Sequence, residues 1–137
     1  MTYLLDTGVW LRGVNQIETI PAEVLTLLQG RETVFGLSAI SLWEVGKKVQ
    51  IGKLKLPKEL AGWFADALAP NVSVLPLTSE IVVEAMRLPD FPVRDPADEL
   101  IVATARVHKV TLLTTDTKLK NYRHVRMRYF TPMPTKP

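Results

Sequence analysis

The sequence predicts an α/β fold: a three-layer α/β/α sandwich with a mostly parallel central sheet. Three observations carry this. Short β-branched and aromatic runs alternate with amphipathic helical segments along the whole 137 residues. Neither an internal repeat nor a linker divides the chain, whose length suits one domain. The hydrophobic fraction of 47% is enough for a real core.

Tyr3 to Asp6 reads as a short buried strand ending on an acid. Pro21 to Gln29 has apolar residues at helical spacing, with a proline at its start and Gly30 just beyond its end. Thr33 to Leu37, β-branched and aromatic, is the second strand. Ser41 is expected to open a helix that runs to near Gly52, with Glu44 at the capping-box position. After a connector over 53–57, a helix over 58–68 carries Leu60, Trp63, Phe64 and Leu68 on its apolar side. Val72 to Leu77 is the third strand, and Ser79 to Leu88 a helix capped by Thr78 or Ser79. Pro89, Pro92 and Pro96 punctuate a loop. Asp95 then starts a helix reaching His108, followed by a fourth strand over Val110 to Thr114. A short helical turn follows Asp116, and His124 to Phe130 is the last strand. The domain is thus expected to span 1–130, and the proline-rich tail over 131–137 to be disordered.

Composition excludes several classes. Without cysteine there is no disulfide scaffold, thiolate zinc or thiol nucleophile. His108 and His124 are too few and too far apart for an imidazole metal cage. The opening Met-Thr-Tyr-Leu-Leu-Asp lacks the pattern of a secretory signal, and no apolar run reaches the roughly 18 residues that span a bilayer. A cytoplasmic protein with no membrane association is the expectation. The net charge of +3 is a weak pointer to a polyanionic partner. Its distribution says more: Lys47, Lys48, Lys53, Lys55 and Lys58 form one basic run, and Lys118, Lys120, Arg123, Arg126 and Arg128 another.

In open parallel sheets, ligands bind beyond the carboxyl ends of the strands. Asp6 ends the first strand, Asp116 lies just past the fourth, and Glu44 and Asp98 lie in the first turns of helices. A parallel sheet would bring all four to one edge. Each alone has a capping explanation. Together they are costly, since two carboxylates about 4 Å apart repel by about 4 kcal/mol at an effective dielectric of about 20. A divalent cation removes that cost, and Mg²⁺ needs only a few carboxylates because it keeps several waters. Such a site suits phosphodiester hydrolysis. Thr7, Ser41 and Thr115 accompany the acids as candidate supporting hydroxyls, with helix caps as their simpler explanation.

The motifs Leu-Leu-Asp-Thr at 4–7, Ser-Ala-Ile-Ser-Leu-Trp-Glu-Val at 38–45, Asp-Pro-Ala-Asp-Glu-Leu-Ile-Val-Ala-Thr-Ala at 95–105 and Leu-Leu-Thr-Thr-Asp at 112–116 occur in this order. In this the chain resembles the PIN-domain ribonucleases, and among them the VapC-type toxins of toxin–antitoxin pairs. The resemblance implies Mg²⁺- or Mn²⁺-dependent cleavage of RNA leaving a 3′-hydroxyl and a 5′-phosphate. It also implies a homodimer and a cognate antitoxin that covers the active site. Asp6, Glu44 and Asp98 match the family's acidic positions best, Asp116 less strictly, and Thr7 and Thr115 match its hydroxyl positions. Glu99 stands where similar sequences often have arginine, and is expected to face solvent. Lys47 and Lys48, three and four residues beyond Glu44, are candidates for guiding an RNA backbone. Trp10, Trp43 and Trp63 are expected in the core or an interface rather than as base-stacking platforms.

Other readings fit less well. A receiver-type regulatory domain needs an early acidic pair and a later lysine, and a phosphatase needs Asp-x-Asp; Asp6-Thr7-Gly8 and Thr114-Thr115-Asp116 supply neither. A catalytically silent PIN-like binding module and an RNA-processing nuclease without an antitoxin remain as alternatives.

Overall fold

The computed structural model describes residues 1–68 and 70–135. Five strands form one sheet: β1 (Tyr3–Leu5), β2 (Phe35–Ser38), β3 (Val72–Leu75), β4 (Thr111–Thr114) and β5 (Met127–Tyr129). Their order is β3-β2-β1-β4-β5, and every neighbouring pair is parallel. The predicted sheet is therefore present. Some expected strands were longer: Pro76, which lacks a backbone N–H, follows β3 directly, and β5 pairs over only three residues.

The helices are α1 (Thr7–Asn15), α2 (Ala22–Leu28), α3 (Ala39–Gln50), α4 (Leu60–Ala67), α5 (Ser79–Met86) and α6 (Pro96–His108), with a 3₁₀ turn over Ile17–Thr19. Strand alternation sorts the core. Leu5, Phe35, Leu37 and Leu113 point to one face, where Val9 and Trp10 of α1, Val24 of α2, Val45 of α3 and Trp63 of α4 cover them. Leu4, Leu75 and Leu112 point to the other, under Ile101, Val102 and Ala105 of α6. The outer helix α5 docks onto α6 through Ile81, Ala85 and Ala103. The small side chains of α6 allow this helix to be covered on two sides.

Gly36 has a steric reason. A Cβ there would stand 2.6 Å from Met1 Sδ and 3.0 Å from Leu75 Cδ1. Strand β2 can thus be crossed by side chains from both neighbouring strands, Leu4 of β1 and Leu75 of β3.

Two helix starts differ from expectation. The α1 helix was not foreseen: Gly8 and Gly13 weaken its local signal, and burial of Val9 and Trp10 overrides propensity. The α3 helix is capped by Ser38, whose Oγ accepts the Ile40 N–H at 3.2 Å, so Ser41 neither opens the helix nor forms a capping box with Glu44. The α6 start is as expected, with Asp95 as N-cap and Pro96 in the first turn.

The end of the chain has no regular structure over 131–135, although the Met133 N–H donates to the Thr19 carbonyl at 2.8 Å. Residues 136 and 137, part of the tail expected to be disordered, lie outside the described residues. Among the described residues, no helix is long and apolar enough to cross a membrane.

The role of α6 as the central packing helix is testable. Ile101→Ala should lower unfolding free energy by about 2–5 kcal/mol, because Ile101 is fully buried. Val83→Ala, on the exposed side of α5, should change it by less than about 0.5 kcal/mol. Urea unfolding followed by circular dichroism measures both.

Candidate active site

The acids meet at a reversal in the chain's path. From β1 the chain steps outward through β2 and β3, then returns to the other side of β1 for β4 and β5. The gap between β1 and β4 is the switch point, where ligands of open parallel sheets bind.

Asp6 occupies this gap. Its N–H donates to the Leu113 carbonyl at 3.0 Å, so the β1–β4 ladder continues one residue past β1. Its carboxylate is only 7% exposed. One oxygen accepts the Thr7 N–H at 2.8 Å as the α1 cap, and the other accepts the Thr114 hydroxyl at 2.5 Å. The same Thr114 oxygen accepts the Asp116 N–H at 3.0 Å, which ties the loop after β4 to Asp6. Asp116 is half-buried, and its own carboxylate accepts the Lys118 N–H at 2.9 Å.

A second chain of hydroxyls orients Glu44. Thr7 Oγ1 donates to Glu44 Oε1 at 2.6 Å and lies 2.7 Å from Ser41 Oγ. A threonine hydroxyl has one proton, so Ser41 is the donor to Thr7. Thr7 and Ser41 are both buried. The hydroxyl that reaches Asp6 is Thr114, which the sequence reading passed over. The β1–β4 register was the missing signal, because Leu5 pairs with Leu113 and the next pair is Asp6 with Thr114. Thr115 is half-buried, 3.6 Å from where a Cβ on Gly8 would stand.

Asp98 lies in the first turn of α6, half-buried beside the other acids. Its pKa is raised to about 7, first by burial and then by the charges of Asp95, Asp6, Asp116 and Glu44. Burial also raises the carboxyl of Asp6, against the hydrogen bonds from Thr114 and Thr7. Burial likewise raises Glu44, against the hydrogen bond from Thr7. Lys48 is exposed, yet its charge stabilises the ionised forms of both Asp6 and Glu44. Lys47 is also exposed and donates to Gln50 at 2.8 Å. Glu99 is half-buried on the same turn as Asp98.

The donor set is entirely carboxylate and hydroxyl oxygen, which suits a hard cation such as Mg²⁺ or Mn²⁺. Among the described residues, no three acidic side chains enclose a single point. That arrangement fits an ion bound through one or two carboxylates with waters completing its shell. Crowded anions with one pKa near 7 are the electrostatic condition that such an ion relieves.

The tryptophans divide. Trp10 and Trp63 are each 2% exposed and pack edge to face in the core, with ring centroids 5.0 Å apart. Trp43 is 60% exposed and is not a core residue.

Fold and site together define a parallel α/β domain with an acidic switch point. The sequence profile of the PIN domain matches residues 3–125, and the chain belongs to the PIN domain family. It is 33% identical over 90 residues to Ribonuclease VapC22 of Mycobacterium tuberculosis, covering 66% of this chain and 68% of that protein. The fold is shared with VapBC2 from Rickettsia felis, crystallised with a DNA fragment from its promoter, at a TM-score of 0.70 and 19% identity over 94% of this chain and 98% of that one. It is shared too with DNA-bound VapBC from Salmonella typhimurium, at a TM-score of 0.68 and 17% identity over 94% and 98% of the two chains.

The raised Asp98 pKa makes stability depend on pH. The folded state holds this proton up to about pH 7, whereas the unfolded chain releases it near the ordinary value of 3.8. In that window the folded state binds more protons, so stability falls as pH rises, and the full cost is present above 7. In EDTA, the urea midpoint should be higher near pH 5 than near pH 8, and Asp98→Asn should flatten that difference. Added Mg²⁺ should raise the midpoint of the unaltered protein at the higher pH and do little for the variant.

Thr114→Val keeps the shape of the side chain and removes the donor to Asp6. It should cost about 1–3 kcal/mol, because the buried Asp6 oxygen and the Asp116 N–H both lose their partner. Urea unfolding would read it.

Proposed function

We propose that the protein is a Mg²⁺- or Mn²⁺-dependent endoribonuclease, the toxin of a toxin–antitoxin pair acting in the cytoplasm. The observation that carries this reading is the meeting of Asp6, Glu44, Asp98 and Asp116 at the β1–β4 switch point, where burial and then the neighbouring charges raise Asp98 to about 7. The Mycobacterium tuberculosis relative is a ribonuclease, which supports RNA as substrate.

One or two of the four acids would hold the ion directly, and the others would reach it through its waters. When bound, it activates water and stabilises charge on the scissile phosphate. The chain's own groups prepare the site. Thr114 and the Thr7 N–H fix both oxygens of Asp6, and the Ser41–Thr7 relay fixes Glu44. Asp6 and Glu44 are therefore oriented before any ligand arrives, which reduces reorganisation during the reaction. Lys48, already close enough to favour the ionised forms of Asp6 and Glu44, offers a cation to an incoming phosphate.

Protein partners have a surface available. Val82, Val83 and Met86 leave an exposed apolar patch on α5, of the kind that a second copy or an antitoxin covers.

Asp6→Asn and Asp98→Asn should each reduce cleavage of a generic single-stranded RNA by more than about a hundredfold, since changes to outer-shell groups alone cost about 10- to 100-fold. EDTA should abolish the activity, and Mg²⁺ or Mn²⁺ should restore it. Full activity in either variant sinks the proposed roles. An inert unaltered protein under both metals would instead make the chain a silent PIN-like module. Activity that no product of an adjacent reading frame suppresses would favour RNA processing over a toxin.

A further inference from the structure

Beside the acids lies a groove of about 550 Å³, of whose lining the roles above use only Glu44 and Lys48. Ile40, Trp43, Lys47 and Ile51 follow one another at helical spacing along α3 and its C-cap, forming one wall. The first turn of α6, at Pro96 and Ala97, forms the other. Trp43 is 60% exposed and Ile51 54%, so the groove presents a large aromatic surface to solvent. Lys47, Lys48, Lys53 and Arg94 line it as well. Glu44 and Asp95 belong to its lining, which makes the groove continuous with the acidic site.

Resting on the ribonuclease reading, we propose that this groove is the subsite for the single-stranded RNA flanking the scissile phosphate, with Trp43 stacking on an unpaired base. The charge favours it: four cations outnumber two acids, and both acids, Glu44 and Asp95, lie close enough to Asp98 to raise its pKa. An aromatic face among cations is the arrangement that single-stranded nucleic acid selects, base on ring and phosphates on the charged side chains. Continuity favours it too, because a strand with one phosphate at Asp6 and Asp98 must leave the site along an adjoining channel. Lys48 stands at that junction, close enough to Asp6 and Glu44 to influence both. Stacking is indifferent to base identity, so Trp43 sets affinity and the unpaired character of the substrate rather than a sequence.

The test uses Trp43→Leu, which keeps apolar bulk without an aromatic face, and Trp43→Phe, which keeps the face. In Mg²⁺, Trp43→Leu should raise KM for a single-stranded RNA about tenfold with kcat little changed, and Trp43→Phe should recover most of the affinity. Because Trp10 and Trp63 are buried, stopped-flow mixing with that RNA should quench the exposed Trp43 fluorescence, and Trp43→Leu should remove the quench. Unchanged far-ultraviolet circular dichroism checks folding. Neutralising Lys53 and Arg94 should weaken binding and lower its salt dependence by about 0.7 per contact. An unaltered KM in Trp43→Leu, or no quench on mixing, overturns the proposal. So does a variant that cleaves RNA normally but no longer binds the antitoxin, which would make the groove a protein-docking surface. If the unaltered protein cleaves no RNA, the ribonuclease reading fails, and the quench still decides whether Trp43 meets RNA.

Discussion

The active edge depends on burying the Asp6 carboxylate between β1 and β4. Burial of this kind is unfavourable unless both oxygens are satisfied. Here one accepts a backbone N–H at the start of α1 and the other the Thr114 hydroxyl. These two bonds link the first helix, the first strand and the fourth strand at a single residue. The Thr114 oxygen passes the constraint to Asp116, and the Thr7 hydroxyl passes it to Glu44. Asp6, Glu44 and Asp116 thus belong to one hydrogen-bonded assembly, and Asp98 joins it through charge.

Capping and the proposed ion-holding role do not compete in this assembly. Asp6 caps α1 while its second oxygen is held for the site, and Asp95 caps α6 so that Asp98 lies one turn inside. Placing acids at helix N-termini lowers the cost of gathering them, because the helix dipoles favour negative charge there. The remaining cost is visible in the raised pKa of Asp98, and Lys48 offsets part of it for Asp6 and Glu44. A domain that gathers this charge is less stable than its core alone would allow. The α3 helix couples the acidic centre to the groove beside it, since Glu44 and Trp43 are consecutive residues on its first turns.

Most of the architecture was legible because strands and helices alternate with distinct periods, and because Asp95-Pro96 marks a helix start by local chemistry. The α1 helix was not legible, since its two glycines hide it and only the burial of Val9 and Trp10 against the sheet makes it form. Ser41 was misread as a cap for a related reason: it and Ser38 carry the same hydroxyl, and the end of β2 decides which one begins the helix. Thr114 was invisible as a partner of Asp6, because 108 residues separate them and only strand register joins them. The three tryptophans looked alike in sequence, and packing put two in the core and left Trp43 in solvent.

By itself, then, the sequence determined the α/β class, the parallel sheet, and the order in which acids arrive at strand ends and helix starts. These are local properties, set by side-chain period, capping and turn residues within a few positions of one another. Tertiary structure alone decided which hydroxyl holds which acid, how far burial and neighbouring charge raise the pKa of Asp98, and that an exposed tryptophan borders the acids. Those depend on strand register and on packing between distant segments, and no local pattern encodes either.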